Sequence, residues 1–201
     1  MESVILAAGK SSRMNQEKAL LKFGEKTALH LILEKLIPLS EMIYLVCSEN
    51  IKIFTEHVMK MQFNNIQVIE NKSADKGMFS SVLIGLAKCS CRNPVLIQQI
   101  DQPLIDLCVY EKLLGSVDKE HWIFQPCYGE NGQIGHPLII QPDLIRIVLS
   151  SAVNDNLRNV IRQYRTKRKL ILTEDRKIIT SINTPEDYKE QLKVFCDGNT
   201  G

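Results

Sequence analysis

Residues 4–21 read VILAAGKSSRMNQEKALL, and the character of the chain changes in the middle of this stretch. Val4 to Ala7 are apolar without alternation, as in a strand covered on both faces. The small residues Ala7, Ala8 and Gly9 follow, and then Lys10, Arg13 and Lys18 bring cations into what should be the turn to a helix. A strand buried on both faces belongs in the interior of a parallel sheet. In such a sheet, ligands bind beyond the carboxyl ends of the strands, where the strand order reverses. Any positive charge in this loop is therefore at the ligand edge.

Working outward, short β-rich runs alternate with segments of helical period. Residues 3–7 read as a strand, 27–36 as a helix carrying Leu29, Ile32, Leu33 and Leu36 on one stripe, and 42–46 as a second strand. Residues 50–61 read as helical, 66–69 as extended, 80–88 as helical, and 95–100 as another nearly continuous apolar strand. Beyond Asp101 the pattern loosens. We expect a helix near 107–116, a strand at 121–124, a turn-rich stretch at 127–136 and a strand at 137–140. Helices near 143–149 and 155–164, a strand at 169–172 and a closing helix from Pro185 complete the reading. The alternation implies an α/β fold: a three-layer, Rossmann-like, mostly parallel sheet with helices on both faces. No linker or internal repeat interrupts it, so residues 1–201 are read as a single domain.

The formal net charge is only +2, which argues against binding nucleic acid or a membrane surface through bulk electrostatics. No signal-peptide pattern or membrane-length apolar run is present, and the expectation is a cytoplasmic protein. The six cysteines form no CxxC pair, and Cys89 and Cys91 are read as structural thiols.

Four segments carry chemistry. In the first loop, Gly9, Ser11 and Ser12 can shape a nest of backbone N–H groups for an anion, with Arg13 and Lys18 as side-chain cations. The spacing is neither the dinucleotide fingerprint nor the P-loop. Asp101, at the end of the 95–100 strand and followed by Pro103, is a hard carboxylate at the same edge. It suits Mg²⁺, which takes one or two protein oxygens and completes its shell with water and phosphates. Gly77 precedes Ser80 and Ser81 at a helix start, a second place where N–H groups can face a ligand. Gly135-His136-Pro137 presents one histidine, read equally as a substrate contact or as structure. A basic run, Arg162, Arg165, Lys167, Arg168 and Lys169, reads first as a solvated helix end and second as an attractor for a phosphorylated acceptor.

Taken in order, the motifs carry a resemblance. Leu6-Ala7-Ala8-Gly9-x-Ser11-x-Arg13-Met14, Lys18-x-Leu20-Leu21, Gly77-Met78-x-x-Ser81-x-x-x-Gly85-Leu86, Asp101-Gln102-Pro103-Leu104, Gly135-His136-Pro137 and Asn183-Thr184-Pro185-Glu186-Asp187-Tyr188 resemble those of the MobA-like nucleotidyltransferases. The similarity is to the branch typified by molybdenum cofactor cytidylyltransferase. It implies the nucleotide-diphospho-sugar transferase type of fold. It also implies an enzyme that moves CMP from CTP to a phosphorylated small-molecule acceptor such as molybdopterin, with release of pyrophosphate.

By this resemblance, Arg13, Lys18 and Asp101 are catalytic, and Leu6, Ala7, Ala8, Gly9, Ser11, Ser12, Gly77 and Ser81 hold the nucleotide with them. Gln102, Gly135 and His136 contact the substrate, and Mg²⁺ sits on Asp101, with Asn183 read equally as its second ligand or as the N-cap of the last helix. Transient docking on an enzyme that receives the finished cofactor also follows. The chain departs from the family pattern at Asn15, where a glycine is common, and at Ser181 and Asn183, where two aspartates are frequent. Lys10 and Glu17 stand where guanylyl-specific relatives carry glycine and aspartate, which leans the resemblance toward CTP.

Overall fold

The computed structural model describes residues 1–9, 14, 16–49, 51–130, 132–153 and 155–198. In chain order the elements begin with β1 (Glu2–Leu6), a small hairpin of β2 (Lys22–Phe23) and β3 (Lys26–Thr27), α1 (Ala28–Leu36), β4 (Met42–Cys47), α2 (Ile51–Lys60) and β5 (Ile66–Glu70). They continue with α3 (Met78–Leu86), β6 (Val95–Gln99), α4 (Leu107–Gly115), β7 (Ile123–Tyr128), β8 (Gln133–Ile134) and β9 (Leu138–Ile140). The chain closes with α5 (Pro142–Ser150), α6 (Leu157–Gln163), β10 (Arg168–Thr173) and α7 (Pro185–Gly198).

The central sheet runs β10-β7-β9-β6-β1-β4-β5, with β8 attached to β7. β1 pairs in parallel with both β4 and β6, so Leu6 lies beside Val46 on one side and Gln99 on the other. The chain leaves β1 toward β4 and β5, then returns to lay β6 against the opposite edge of β1. That return makes the gap between the ends of β1 and β6 the topological switch point.

Alternation along the strands builds two apolar layers. Ile5, Ile43, Leu45, Leu96 and Phe124 face α1, α2 and α4 through Leu29, Leu33, Phe54 and Tyr110. Val4, Leu6, Val46, Val95 and Ile97 face α3, α5 and α6 through Phe79, Val82, Ile145 and Ile161. A third, smaller cluster packs the β2–β3 hairpin under α7, with Phe23 edge-on to Tyr188 and Phe195 at centroid distances of 5.6 Å. This gives the three-layer, mostly parallel α/β architecture that the alternation implied.

Two expectations need amendment, and the direction of one strand, left open by the sequence, is defined by the pairing. β9 is antiparallel to both β6 and β7, because the connection from β7 is too short for a helical crossover and must return as a hairpin. β7 extends to Tyr128, beyond the expected end at 124, because Pro126 is accommodated within the β7–β10 ladder opposite Ile171. α3 starts at Met78, two residues before Ser80: Gly77, at φ +93°, is the N-cap, and Ser80 Oγ turns back to the Gly77 and Ser73 carbonyls. All six cysteines are free thiols. Among the described residues no helix is long and apolar enough to cross a membrane.

Candidate active site

Asp101 follows β6 at the switch point, and the fold holds its backbone from several sides. Gln98, fully buried, donates its amide to the carbonyl oxygens of Gln99 (2.7 Å) and Gln102 (3.3 Å), and it accepts from the Tyr110 hydroxyl (2.9 Å). Lys35 from α1 donates to the Pro103 carbonyl at 2.7 Å. Burial pushes the Lys35 ammonium down to about 8, partly opposed by Asp106. The Asp101 carbonyl in turn accepts from Ile182 N–H at 2.9 Å, which brings the segment before α7 alongside.

The Asp101 side chain meets Lys18 and Asn183. Lys18 Nζ lies 2.9 Å from Asn183 Oδ1, to which it donates, and 3.7 Å from Asp101 Oδ2. Both charged side chains are under one-fifth exposed (17% and 18%), so water screens the pair only in part. Asp101 Oδ1 is buried and has no hydrogen-bond partner among the described residues. Burial raises the carboxyl's pKa, and Lys18 opposes that shift. A carboxylate with one orphaned oxygen and an amide oxygen, both meeting the same lysine, form a hard-oxygen donor set of the kind that Mg²⁺ takes. Among the described residues no group of three or more His, Cys, Asp and Glu could hold a metal ion. An ion here would therefore draw its remaining ligands from phosphates and water.

Asn183 does not cap α7. Thr184 and Asp187 do, reciprocally: Asp187 N–H donates to Thr184 Oγ1 at 3.1 Å, while Asp187 Oδ2 accepts from the N–H groups of Asn183 and Thr184 at 2.8 Å. The amide of Asn183 is thereby released to face Lys18.

Around this centre lies a cavity of about 360 Å³, lined by Leu6, Ala7, Ala8 and Gly9 after β1, by Lys18 and Asp101, and by Gly77, Met78, Ser81 and Gln99. Ser81 Oγ accepts from Asn71 Nδ2 at 2.9 Å, and Asn71 also donates to Ser80 Oγ at 2.8 Å. This buried asparagine ties the first turn of α3 to the end of β5. Ser80 is thus a structural residue, while Ser81 reaches the cavity. Ser11, Ser12 and Arg13 of the expected nest, with Lys10 and Asn15, lie outside the described residues.

A larger cavity, about 720 Å³, adjoins the first and shares Leu6, Met78 and Gln99 with it. Gly135 and His136 line it, as do Gln125, apolar residues including Phe79, Val82 and Ile161, and the arginines Arg158, Arg162, Arg165 and Arg168. Gln102, expected at the substrate, lines neither cavity. It is 4% exposed, and its amide donates to the Ile178 carbonyl at 2.9 Å, so it braces the turn at 176–179 against the Asp101 segment.

The basic run divides. Lys169 pairs with Asp118 at 2.9 Å, and Lys167 lies 5.7 Å from the centroid of the Trp122 ring, leaving the arginines to the cavity. Arg158, Gln99 and Gln125 were not singled out from the sequence. Arg158 had a signal: 158, 162 and 165 fall on one helical stripe, so the basic face starts one turn before the run does.

With the ring neutral and its proton on Nδ1, His136 Nε2 accepts from the Gln99 amide, 3.0 Å away. Burial pushes this ring down to about 4. The unfolded chain takes up the proton near pH 6.5. Between pH 6.5 and 4 the unfolded state therefore holds more protons, and stability rises with pH across that window. Acidification through it is expected to cost about 3 kcal/mol. Denaturant unfolding at pH 7 and pH 4 measures this, and His136→Asn should abolish most of the pH difference.

Residues 3–168 match the model of the MobA-like NTP transferase domain. The chain belongs to that family. It is 26% identical over 200 residues to a probable molybdenum cofactor guanylyltransferase of Carboxydothermus hydrogenoformans, covering 95% of this chain and 94% of the relative. It is 23% identical over 188 residues to the molybdenum cofactor cytidylyltransferase of Escherichia coli, with 94% and 93% covered. Among solved structures it superposes on Rv0371c of Mycobacterium tuberculosis with a TM-score of 0.80 at 18% identity, covering 96% of this chain and 98% of that one. A manganese complex of the same mycobacterial protein superposes with a TM-score of 0.75. The MobA-like family is one of nucleotidyltransferases, which sets the class of chemistry in which the two cavities are to be read.

Proposed function

We infer that this MobA-like protein is a Mg²⁺-dependent cytidylyltransferase. In this reading CTP occupies the smaller cavity, and a phosphorylated acceptor, most favourably molybdopterin, occupies the larger. An acceptor phosphate oxygen forms a bond to the α-phosphorus of CTP, the bond from that phosphorus to the bridging oxygen breaks, and pyrophosphate leaves. The observation that carries the reading is the convergence of Lys18, Asp101 and Asn183 at the switch point, beside a wall of Leu6, Met78 and Gln99 common to both cavities. Two phosphates meeting across that wall would be aligned for in-line displacement, and alignment supplies much of the acceleration in such reactions.

Lys18 is positioned to neutralise the triphosphate, and Ala7, Ala8 and Gly9 let the backbone approach it closely. Asp101 and Asn183 would hold Mg²⁺, which when bound offsets charge on the phosphate oxygens. Manganese in the complex of the mycobacterial protein supports a divalent cation in this fold. The names of the two curated relatives divide over the base, guanylyl against cytidylyl. The preference for CTP rests on Lys10 and Glu17.

The test is a panel of the four nucleoside triphosphates against molybdopterin and simple phosphorylated acceptors, read by pyrophosphate release. CTP with molybdopterin should give the highest rate. Release with a sugar phosphate or phosphorylated alcohol alone would keep the chemistry and replace the acceptor. Nucleotide binding without release for any pair would reduce the protein to a nucleotide- or cofactor-binding role, the reading that the uncharged Ser181 and Asn183 favour.

A further inference from the structure

The larger cavity holds more positive charge than one phosphate monoester can neutralise. Four arginines line it, and no carboxylate is among its described lining residues. Among the described residues none of the four has a carboxylate partner, whereas the neighbouring Lys169 is paired with Asp118. A phosphate monoester brings at most about two negative charges.

Position sharpens the mismatch. An attacking phosphate must sit at the wall shared with the smaller cavity, formed by Leu6, Met78 and Gln99, and none of those residues is cationic. The arginines come from α6, the turn that follows it and the first residue of β10, and none of them lines the smaller cavity. None of the four arginines therefore belongs to the wall shared by the two cavities. The same larger cavity is lined by apolar Phe79, Val82 and Ile161, and by Gln125, whose Oε1 is buried without a partner among the described residues. An orphaned buried acceptor calls for a ligand N–H or O–H.

We propose that Arg158, Arg162, Arg165 and Arg168 select an acceptor carrying a second anionic group, distinct from the phosphate that attacks, at the opposite end of a body with an apolar face and a hydrogen-bond donor. The planar guanidinium forks suit an oxyanion held by paired N–H donors. Gln125 reads the body between the two ends. This rests on the larger cavity being the acceptor site, as inferred above.

The experiment uses full-length protein with Mg²⁺ and a saturating CTP analogue that has a methylene between the α- and β-phosphorus, so that the smaller cavity is filled and no turnover occurs. Fructose 6-phosphate and fructose 1,6-bisphosphate are the probes, and calorimetry measures their affinities. The bisphosphate should bind at least tenfold more tightly. In the double variant Arg162→Gln/Arg165→Gln that advantage should vanish, while affinity for the analogue stays unchanged; Arg158→Gln alone should give an intermediate loss.

Equal affinities for the two probes in the unmodified protein would overturn the proposal. So would an advantage that survives in the double variant, or an equal loss of both probes, which would mean that the arginines hold the attacking phosphate itself. Pyrophosphate assays separate this from the functional reading. A bisphosphate preference without transfer to any acceptor would sink the enzyme and keep the anion site.

Discussion

Replacing Asp101 by alanine is expected to lower nucleotidyl transfer about a thousandfold or more while leaving the melting temperature unchanged or slightly higher. The two effects have one origin. The carboxylate is largely buried, and among the described residues one of its oxygens has no partner and its one cationic neighbour, Lys18, stands at 3.7 Å. A charge so placed costs folding free energy, and removing it relieves that cost. The cost persists because Asp101 lines the cavity in which phosphate charge must be offset. Asp101→Asn is the sharper variant, since it keeps shape and removes only charge; it should lose nearly as much activity. Turnover within tenfold of the unmodified protein in both variants would remove Asp101 from the chemistry, and a large drop in melting temperature would make it structural.

Gly135→Ala is expected to destabilise the protein by about 3 kcal/mol. A Cβ at this position would run into the Ile178 carbonyl oxygen and lie 2.6 Å from its carbon. Backbone cannot rotate aside as a side chain can. Neither partner is free to retreat: Gly135 N–H donates to the Pro126 carbonyl, and His136 N–H donates to that same Ile178 carbonyl, both at 3.0 Å. Ile178 is further held by the Gln102 amide. The substitution should therefore also displace the His136 ring and weaken acceptor binding. Gly115→Ala, at the end of α4, is the control, because a Cβ there meets nothing within 4 Å. Denaturant midpoints of the two variants make the comparison, and equal midpoints would dismiss the close approach as the reason for glycine.

Much of the fold was legible because burial leaves a period in the sequence. Runs such as Val4 to Leu6 and Val95 to Ile97 carry no polar interruption, since helices cover both faces of the strands they form. The features misread or left open were those whose rule is not periodic. The antiparallel direction of β9 follows from the length of a connection. The start of α3 follows from a backbone angle at Gly77, and the extent of β7 from a proline that a parallel neighbour tolerates. Gln98 was passed over inside an apolar run, although a glutamine in a fully buried strand signals a polar partner; here the partners are Tyr110 and two carbonyls.

For the candidate site, the sequence by itself determined the loops. Strand ends in an α/β sheet face one edge, so Ala7 to Gly9 and Asp101 could be assigned to that edge from order alone. Only the tertiary structure decided which side chains meet across it. Lys18 and Asn183 are 165 positions apart, yet one donates to the other. Gln102 and Lys169, which looked as available as their neighbours, are engaged with Ile178 and Asp118. The four arginines share one cavity with Gln125 only because α6 packs on the sheet face carried by α3 and β10 joins the sheet beside β7. Periodicity and punctuation are local properties of the chain, whereas the pairing of charges depends on packing between segments that the sequence keeps far apart.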